Sequence, residues 1–520
     1  MNAFIRKHHP HINAVLDCFD RVILRGHLPI AAPPYFGTWL RSKHIGLNLK
    51  ELPEGWWNFK EAAPWFAAEV KTHAQTVAAQ AGRPYQHLLS HNLRLEDSAR
   101  ALAERDGITE GLVAVYSMME TCRTYRVRYT DRGPNAEPDL RVCLVLYYYY
   151  LDRDFGLLHI KIQTWFPFTV QVYVNGHEWL ARQLTRRGLG YRKRDNAFVW
   201  LADAQRTQAL ARGFWRRDWP KLLAVLARRV NPLLADWLAG QHYYWVIDQA
   251  EFSTDVLFHD RATLASLRPQ LYEHAALCFG AEQVMTFLGR KYLNTFCGDV
   301  RTYWERREPG ASVKHWVKGN ALKMYDKDGT VLRIETVINN PGEFRVHRVR
   351  HHKDGGPEVG WYPMNKGVAN LYRHAQIGQS ANHHYLEALA VVADLGVGQS
   401  ALDRYCAPVL FQGRTRRALQ PLGRDDQALF SATLRGEHAV RGFRNGEIAD
   451  RLSGPRPKDV RERRRRCGRV SRRISLLRAH GLVAKVPRSR RYRVTARGQR
   501  FMSTALHLRA KLFPRELTPQ

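Results

Sequence analysis

Three groups of residues in this sequence have types and spacings that can do chemistry. The first lies in Lys314–Glu335, where Tyr325 precedes the turn Asp326-Lys327-Asp328-Gly329 and Glu335 lies on the strand after it. A tyrosine hydroxyl can attack a phosphodiester and keep its energy in a tyrosyl ester, while a metal held by a carboxylate stabilises charge developing on phosphate. Whether Tyr325 and Glu335 share a face depends on hairpin register, which the sequence leaves open. The alternative is an ordinary basic hairpin with a cross-strand ion pair. The second group is carboxylates: Asp248, Glu251 and Asp255 lie close together, with Asp17 and Asp20 near the start. Two or three such groups hold Mg²⁺ or Mn²⁺ in nucleases, so Glu251 and Asp255 are the metal-ligand and catalytic candidates. Their alternative is pairing with arginines. The third group is His159-Ile-Lys161-Ile-Gln163, whose alternation puts His159, Lys161 and Gln163 on one strand face. Here His159 is a catalytic candidate, and Lys161 and Gln163 suit a nucleic-acid backbone.

Other signals are weaker. The pairs His8-His9, His351-His352 and His383-His384 are poor chelates, because adjacent side chains diverge on a helix or strand. No Walker A sequence, dinucleotide glycine fingerprint or H-E-x-x-H occurs, so no nucleotide or organic cofactor is indicated and Mg²⁺ or Mn²⁺ is the expected metal. The seven cysteines include no C-x-x-C pair, which implies neither a disulfide framework nor a cysteine zinc site and fits reduced thiols in a cytoplasm. There is no signal-peptide h-region and no run of about 18 apolar residues, so no membrane partner is expected.

Charge is the strongest bulk signal. The chain has 520 residues, 45% hydrophobic, with 81 Lys+Arg against 48 Asp+Glu and a formal net charge of +33. Such a surplus attracts polyanions with a steep salt dependence, so DNA is the expected partner and RNA an open second. Nearly half of it falls between positions 456 and 500, where 18 Lys/Arg stand against 2 Asp/Glu. This stretch predicts a helix over 459–480, stopped by Gly481, with Cys467, Val470, Ile474 and Leu477 on its apolar face. At about 100° per residue the opposite side carries Arg461, Arg465 and Arg472, flanked by Arg464 and Arg469. Helices over 425–434 and 446–452 precede it, the second capped by Asn445. Two short strands, 482–486 and 492–495, follow around a tip bearing Arg488, Arg490 and Arg491.

Two resemblances attach to these residues. Leu477-Arg-Ala-His-Gly-Leu-Val483 followed by Tyr492-Arg-Val-Thr-Ala-Arg-Gly498 resembles the helix-into-wing signature of MarR- and ArsR-type winged-helix regulators. The resemblance covers about 80 residues. It implies that Arg461, Arg464, Arg465, Arg469 and Arg472 face the major groove and that Arg488, Arg490 and Arg491 are wing contacts. Such regulators are short chains, so the residues ahead of the module need another explanation. The stretch 314–338 resembles a segment of rolling-circle replication initiators, in which a Tyr-Asp-Lys turn precedes an Arg-x-Glu strand. That implies a nucleophilic role for Tyr325 and a metal role for Glu335. Those enzymes also carry His-apolar-His-apolar-Gln on one strand, but Lys161 stands in place of the second histidine, and a lysine is not a ligand at neutral pH. Phe19–Gly26 and Gln163–Pro167 resemble parts of long bacterial proteins labelled as winged-helix regulators, which implies no activity.

The elements that must position these residues read as α+β: an N-terminal mixed α/β body with an antiparallel sheet, then a winged helix-turn-helix. Strands are expected over 19–25, 112–118, 142–150, 157–165 and 169–174, and a helix follows Asn175-Gly176. Two of Tyr147–Tyr150 should point into the core, leaving the others free to stack on bases. His351–Pro357 reads as a charged loop. The divisions expected are 1–130, a nucleic-acid-handling body over 131–396, a linker over 397–424, and a DNA-binding module over 425–510. The functional expectation is a cytoplasmic, nucleoid-associated nucleic-acid-binding protein of a mobile element or plasmid-like system, whose body cuts or joins strands. The rival is a non-enzymatic transcriptional regulator or RNA-binding factor, in which the carboxylates are scattered and paired.

Overall fold

The computed structural model describes residues 3–29, 59–89, 94–131, 133–236, 238–291, 300–307, 310–352, 355–390, 392, 404–455, 457–507 and 509. The fold is mixed α/β around one large mixed sheet. Its strands are β1 (Ile12–His27), β2 (Tyr85–His87), β3 (Gly111–Thr130), β4 (Gly133–Asp152), β5 (Gly156–Gln163), β6 (Val170–Asn175), β9 (Tyr244–Phe258), β10 (Arg301–Arg307), β11 (Gly310–Val317), β12 (Asn320–Lys327) and β13 (Val331–Ile338). They run in the order β10-β11-β12-β13-β9-β1-β6-β5-β4-β3-β2. The β2–β3 pair is parallel, so the sheet is not purely antiparallel as expected.

The chain forms two compact units, each assembled from separated stretches. One comprises Leu16–Ser253 and Val337–Gln376. Here β3 and β4 make a long antiparallel ribbon, from Gly111 opposite Leu151 to Thr130 opposite Gly133. In β5 and β6 the alternation buries Leu158, Ile160, Ile162, Val170, Val172 and Val174. Helices α4 (Gly176–Arg186) and α6 (Trp219–Val230) pack against β5 with Leu180, Leu184, Leu223 and Leu226 buried. Asn175 caps α4 by accepting from the Glu178 amide. Glycine is required at 176, because a Cβ there would lie 2.1 Å from the Phe19 carbonyl oxygen. The turn before β5 is held by Asp152, whose Oδ1 accepts from the amides of Asp154 and Phe155. The loop expected over 351–357 is instead part of a hairpin, β14 (Arg345–His352) with β15 (Gly355–Pro363). Cross-strand pairing here overrides a Gly-rich, charged composition that reads locally as irregular.

The other unit comprises Met1–Val15, Thr254–Thr336 and Ile377–Gln520. It holds helix α1 (Ala3–His8), the antiparallel ladder β10–β11–β12, and α7 (Arg261–Cys278). The turn after β12 places Asp328 and Gly329 at positive φ, and α7 clamps it through Arg268–Asp326 and Arg261–Asp328 ion pairs. Of the expected linker, 397–403 lies outside the described residues, and 409–416 forms a short hairpin. The C-terminal stretch then runs α10 (Arg424–Thr433), α11 (Gly436–Arg441), α12 (Asn445–Ser453), α13 (Val460–Ala479), strands β18 (Val483–Lys485) and β19 (Tyr492–Val494), and α14 (Ala496–His507). Leu429, Phe430, Phe443, Ile448, Val470, Ile474, Leu477, Leu482, Phe501 and Met502 form its core. Glycine is again required where α14 begins, because a Cβ at Gly498 would sit 2.0 Å from the Leu482 carbonyl oxygen. Among the described residues no helix is long and apolar enough to cross a membrane.

Candidate functional site

The longest helix of the C-terminal stretch sorts its residues by face. Asp459 starts α13 by accepting from the amides of Arg461 and Glu462. Val470, Ile474, Leu476 and Leu477 are buried, whereas Arg461, Arg464, Arg465, Arg469 and Arg472 are exposed. Glu462 draws Arg465 (3.8 Å), Arg466 (3.1 Å) and Arg469 (3.9 Å) along the helix. Arg461, Arg464 and Arg472 form no ion pair among the described residues. In the β18–β19 hairpin, Arg488 (φ 53°) and Arg490 are exposed. Arg491 is turned inward instead, donating to the Gly442 carbonyl oxygen at 3.0 Å with Glu447 at 3.9 Å, which makes it a brace for the hairpin. Asn445 does not cap α12 from outside. It is that helix's first residue, and its amide donates to the Cys467 carbonyl oxygen and to Ser471 Oγ, tying α12 to α13.

The hairpin register left open by the sequence does bring Tyr325 and Glu335 together. The Tyr325 hydroxyl donates to Glu335 Oε2 at 2.5 Å, and Lys323 Nζ donates to Oε1 at 2.5 Å. Glu335 is buried and Tyr325 half-buried. A carboxylate so placed can take the proton of an attacking tyrosine.

The carboxylates are sorted differently from the expectation. Asp255 is fully buried in a two-pronged pair with Arg333, at 2.7 Å from Nε and 2.7 Å from Nη2. Both of its oxygens are taken by that guanidinium, so it is not the partner of Glu251. A guanidinium fork matches a carboxylate in this way in preference to sharing it with a cation. Asp248 pairs with Arg25 at 2.6 Å. Asp20 and Glu251, both buried and in one compact unit, instead offer oxygens within 4.8 Å of each other, and such a carboxylate pair can bind a metal ion. They come from β1 and β9, which are neighbours in the sheet order. Asp20 therefore takes the place expected for Asp255. The Asp17-x-x-Asp20 spacing was the signal for it, but a strand period of two assigns Asp17 and Asp20 to opposite faces without naming the inward one.

His159, Lys161 and Gln163 do share a face of β5, in different roles. His159 stacks on Tyr173 (centroids 4.9 Å apart, planes 5° apart) beside Tyr147 and Tyr149. Desolvation, with Lys161 and Arg21 adding repulsion, pushes its pKa down to about 3, so it is a neutral ring among aromatics. Lys161 pairs with Glu120 at 2.6 Å, and Gln163 donates to the Trp165 carbonyl oxygen at 3.0 Å. Lys161 and Gln163 line an open groove of about 1220 Å³ together with Arg25, Arg123, Tyr244 and Lys366. Tyr148 is buried against Tyr150 on the opposite side, so two of the four consecutive tyrosines do point each way.

One constellation escaped the sequence. Cys18 Sγ lies 3.3 Å from His177 Nε2, and His177 Nδ1 lies 3.2 Å from Asp20 Oδ1, with all three buried. The order is thiol, imidazole, carboxylate, buried in the core, and Asn196 Nδ2 donates to Asp20 Oδ1. A separation of 159 positions between Cys18 and His177 leaves no local pattern to read. Among the described residues Cys18, Cys122, Cys143, Cys278 and Cys467 form no disulfide.

Comparison with protein-family models, with curated proteins and with solved structures returns no match to this chain.

Proposed function

We propose that the protein binds DNA through its C-terminal stretch, used as a winged helix, with α13 entering the major groove and the β18–β19 tip meeting the backbone. The observation that carries this reading is the sorting of α13: an apolar inner face, and an outer face on which Arg461, Arg464 and Arg472 have no ion pair among the described residues. Guanidinium groups without carboxylate partners release counterions from a duplex when they bind it. Arg488 and Arg490 at the hairpin tip extend that surface. The test is a salt-dependent duplex-binding measurement on the full chain and on an Arg461→Gln/Arg464→Gln/Arg472→Gln variant. Equal affinity and equal salt slope for both proteins would remove the proposal.

A second reading, that the protein also cuts or joins strands, is favoured by the Tyr325–Glu335–Lys323 contact. In it the Tyr325 oxygen bonds to a backbone phosphorus as the P–O bond to the departing strand's sugar breaks, the tyrosine proton passes to Glu335 and on to that sugar oxygen, and a divalent ion (Mg²⁺ or Mn²⁺) would offset the charge developing on the phosphate. Cleavage of labelled single- and double-stranded DNA and structured RNA, with and without Mn²⁺, tests it. A covalent adduct lost in Tyr325→Phe supports the reading. Binding without cutting on every substrate leaves the protein a regulator or RNA-binding factor.

A further inference from the structure

A second cationic site lies apart from the outer face of α13. Between α1, the end of helix α9 (Leu371–Leu389), the lead-in to α11, β19 and α14 lies a cavity of about 380 Å³. All of these residues belong to one compact unit. Among the described residues the lining carries the cations Arg6, Lys7, Arg435, Arg493 and Arg500 and a single carboxylate, Glu387. That carboxylate accepts from the Ala3 amide at 2.6 Å. Arg435 is matched by Glu437 at 2.6 Å, and Lys7 donates to the Val392 carbonyl oxygen. Arg6, Arg493 and Arg500 form no ion pair among the described residues, although they converge on the same volume from three elements.

Like charges drawn around one concavity repel each other, and the repulsion is relieved by an anion with several oxygens. Guanidinium forks match phosphoryl oxygens in pairs, and several forks on one dianion exceed what a single carboxylate can satisfy. The volume is in the range of small-ligand pockets and excludes a duplex, whose backbone can only cross the rim. We propose that this cavity binds a small phosphorylated molecule, held by Arg6, Arg493 and Arg500.

The test uses pyrophosphate as probe, titrated calorimetrically into the full chain at constant ionic strength, with chloride as the matched control. The expected result is saturable binding of about one pyrophosphate per chain. Arg493→Gln/Arg500→Gln should weaken it at least tenfold, while Arg461→Gln/Arg464→Gln should leave it unchanged. Both pairs are exposed, and far-UV circular dichroism checks that the variants are folded. The proposal is overturned if pyrophosphate gives no more heat than chloride, if the Arg493/Arg500 variant binds it as well as the parent, or if that variant loses duplex binding while the parent shows no pyrophosphate site. Since the probe and the arginines differ from those of the DNA-binding test, either proposal can fail alone.

Discussion

Tyr325 and Glu335, ten residues apart across a turn, meet through a hydroxyl-to-carboxylate hydrogen bond of 2.5 Å, with Lys323 on the other carboxylate oxygen. Removing the hydroxyl by Tyr325→Phe should cost only about 1 kcal/mol of stability, the net worth of one hydrogen bond. Any strand-cutting activity should fall by several orders of magnitude in the same variant. A folded Tyr325→Phe protein that cuts as fast as the parent excludes the tyrosine as nucleophile.

Asp255 and Arg333 are both fully buried, so Asp255→Asn leaves an uncompensated guanidinium in the core. A loss of about 3–5 kcal/mol is expected, visible as a lowered denaturant midpoint. Replacing both partners, as in Asp255→Leu/Arg333→Met, should recover much of that loss. If Asp255→Asn is neutral to folding but removes Mn²⁺ binding, the pair is misread and Asp255 is a ligand.

Four histidines are held neutral by burial, with pKa values pushed down to about 3 (His159), 4 (His274), 4 (His315) and 3 (His374). The unfolded chain binds their protons near pH 6.5 and the folded chain much lower. Stability is therefore full above pH 6.5 and lost as pH falls toward 4, at up to about 1.4 kcal/mol per pH unit for each histidine. Among the described residues neither ring nitrogen of His374 has a hydrogen-bond partner, so His374→Leu should make the acid loss shallower. Urea unfolding at pH 7.5 and 5.5 gives the comparison. A pH-independent midpoint would contradict the burial of these rings.

On α13, each arginine that meets a phosphate should contribute about 0.9 to the slope of log K against log salt. Arg464→Gln should reduce that slope by about one, whereas Arg491→Gln should act mainly by loosening the hairpin that Arg491 braces. Fluorescence anisotropy at several salt concentrations separates the two. Equal slope changes would return Arg491 to the duplex contacts.

The helical periods and turn residues were legible where structure is local. The outer arginines of α13, the alternation of β5 and β6, and the helix after Asn175 all follow from short-range spacing. What the sequence could not supply was pairing at a distance. Asp255 and Glu251 lie four positions apart, yet one is captured by Arg333 and the other is grouped with Asp20. Only strand order decides that outcome. Strand β1 was read too short because Asp17 and Cys18 interrupt its apolar run, although both are buried. The helix Gly436–Arg441 was missed because six residues carry too little period to detect.

Both compact units are discontinuous, and this constrains the order in which a nascent chain can mature. The unit containing Leu16–Ser253 needs Val337–Gln376, so it is complete only once Gln376 has been made. The β3–β4 ribbon closes through contacts between neighbouring stretches and can form early, but β1 must wait for β6, about 150 positions later. The unit that includes Met1–Val15 also needs Ile377–Gln520, so Met1–Val15 finds those partners only after Ile377 has been made. Until β6 is made, the apolar residues of β1 lack that strand to cover them, and at the ribosome the segment is exposed to chaperones and to aggregation.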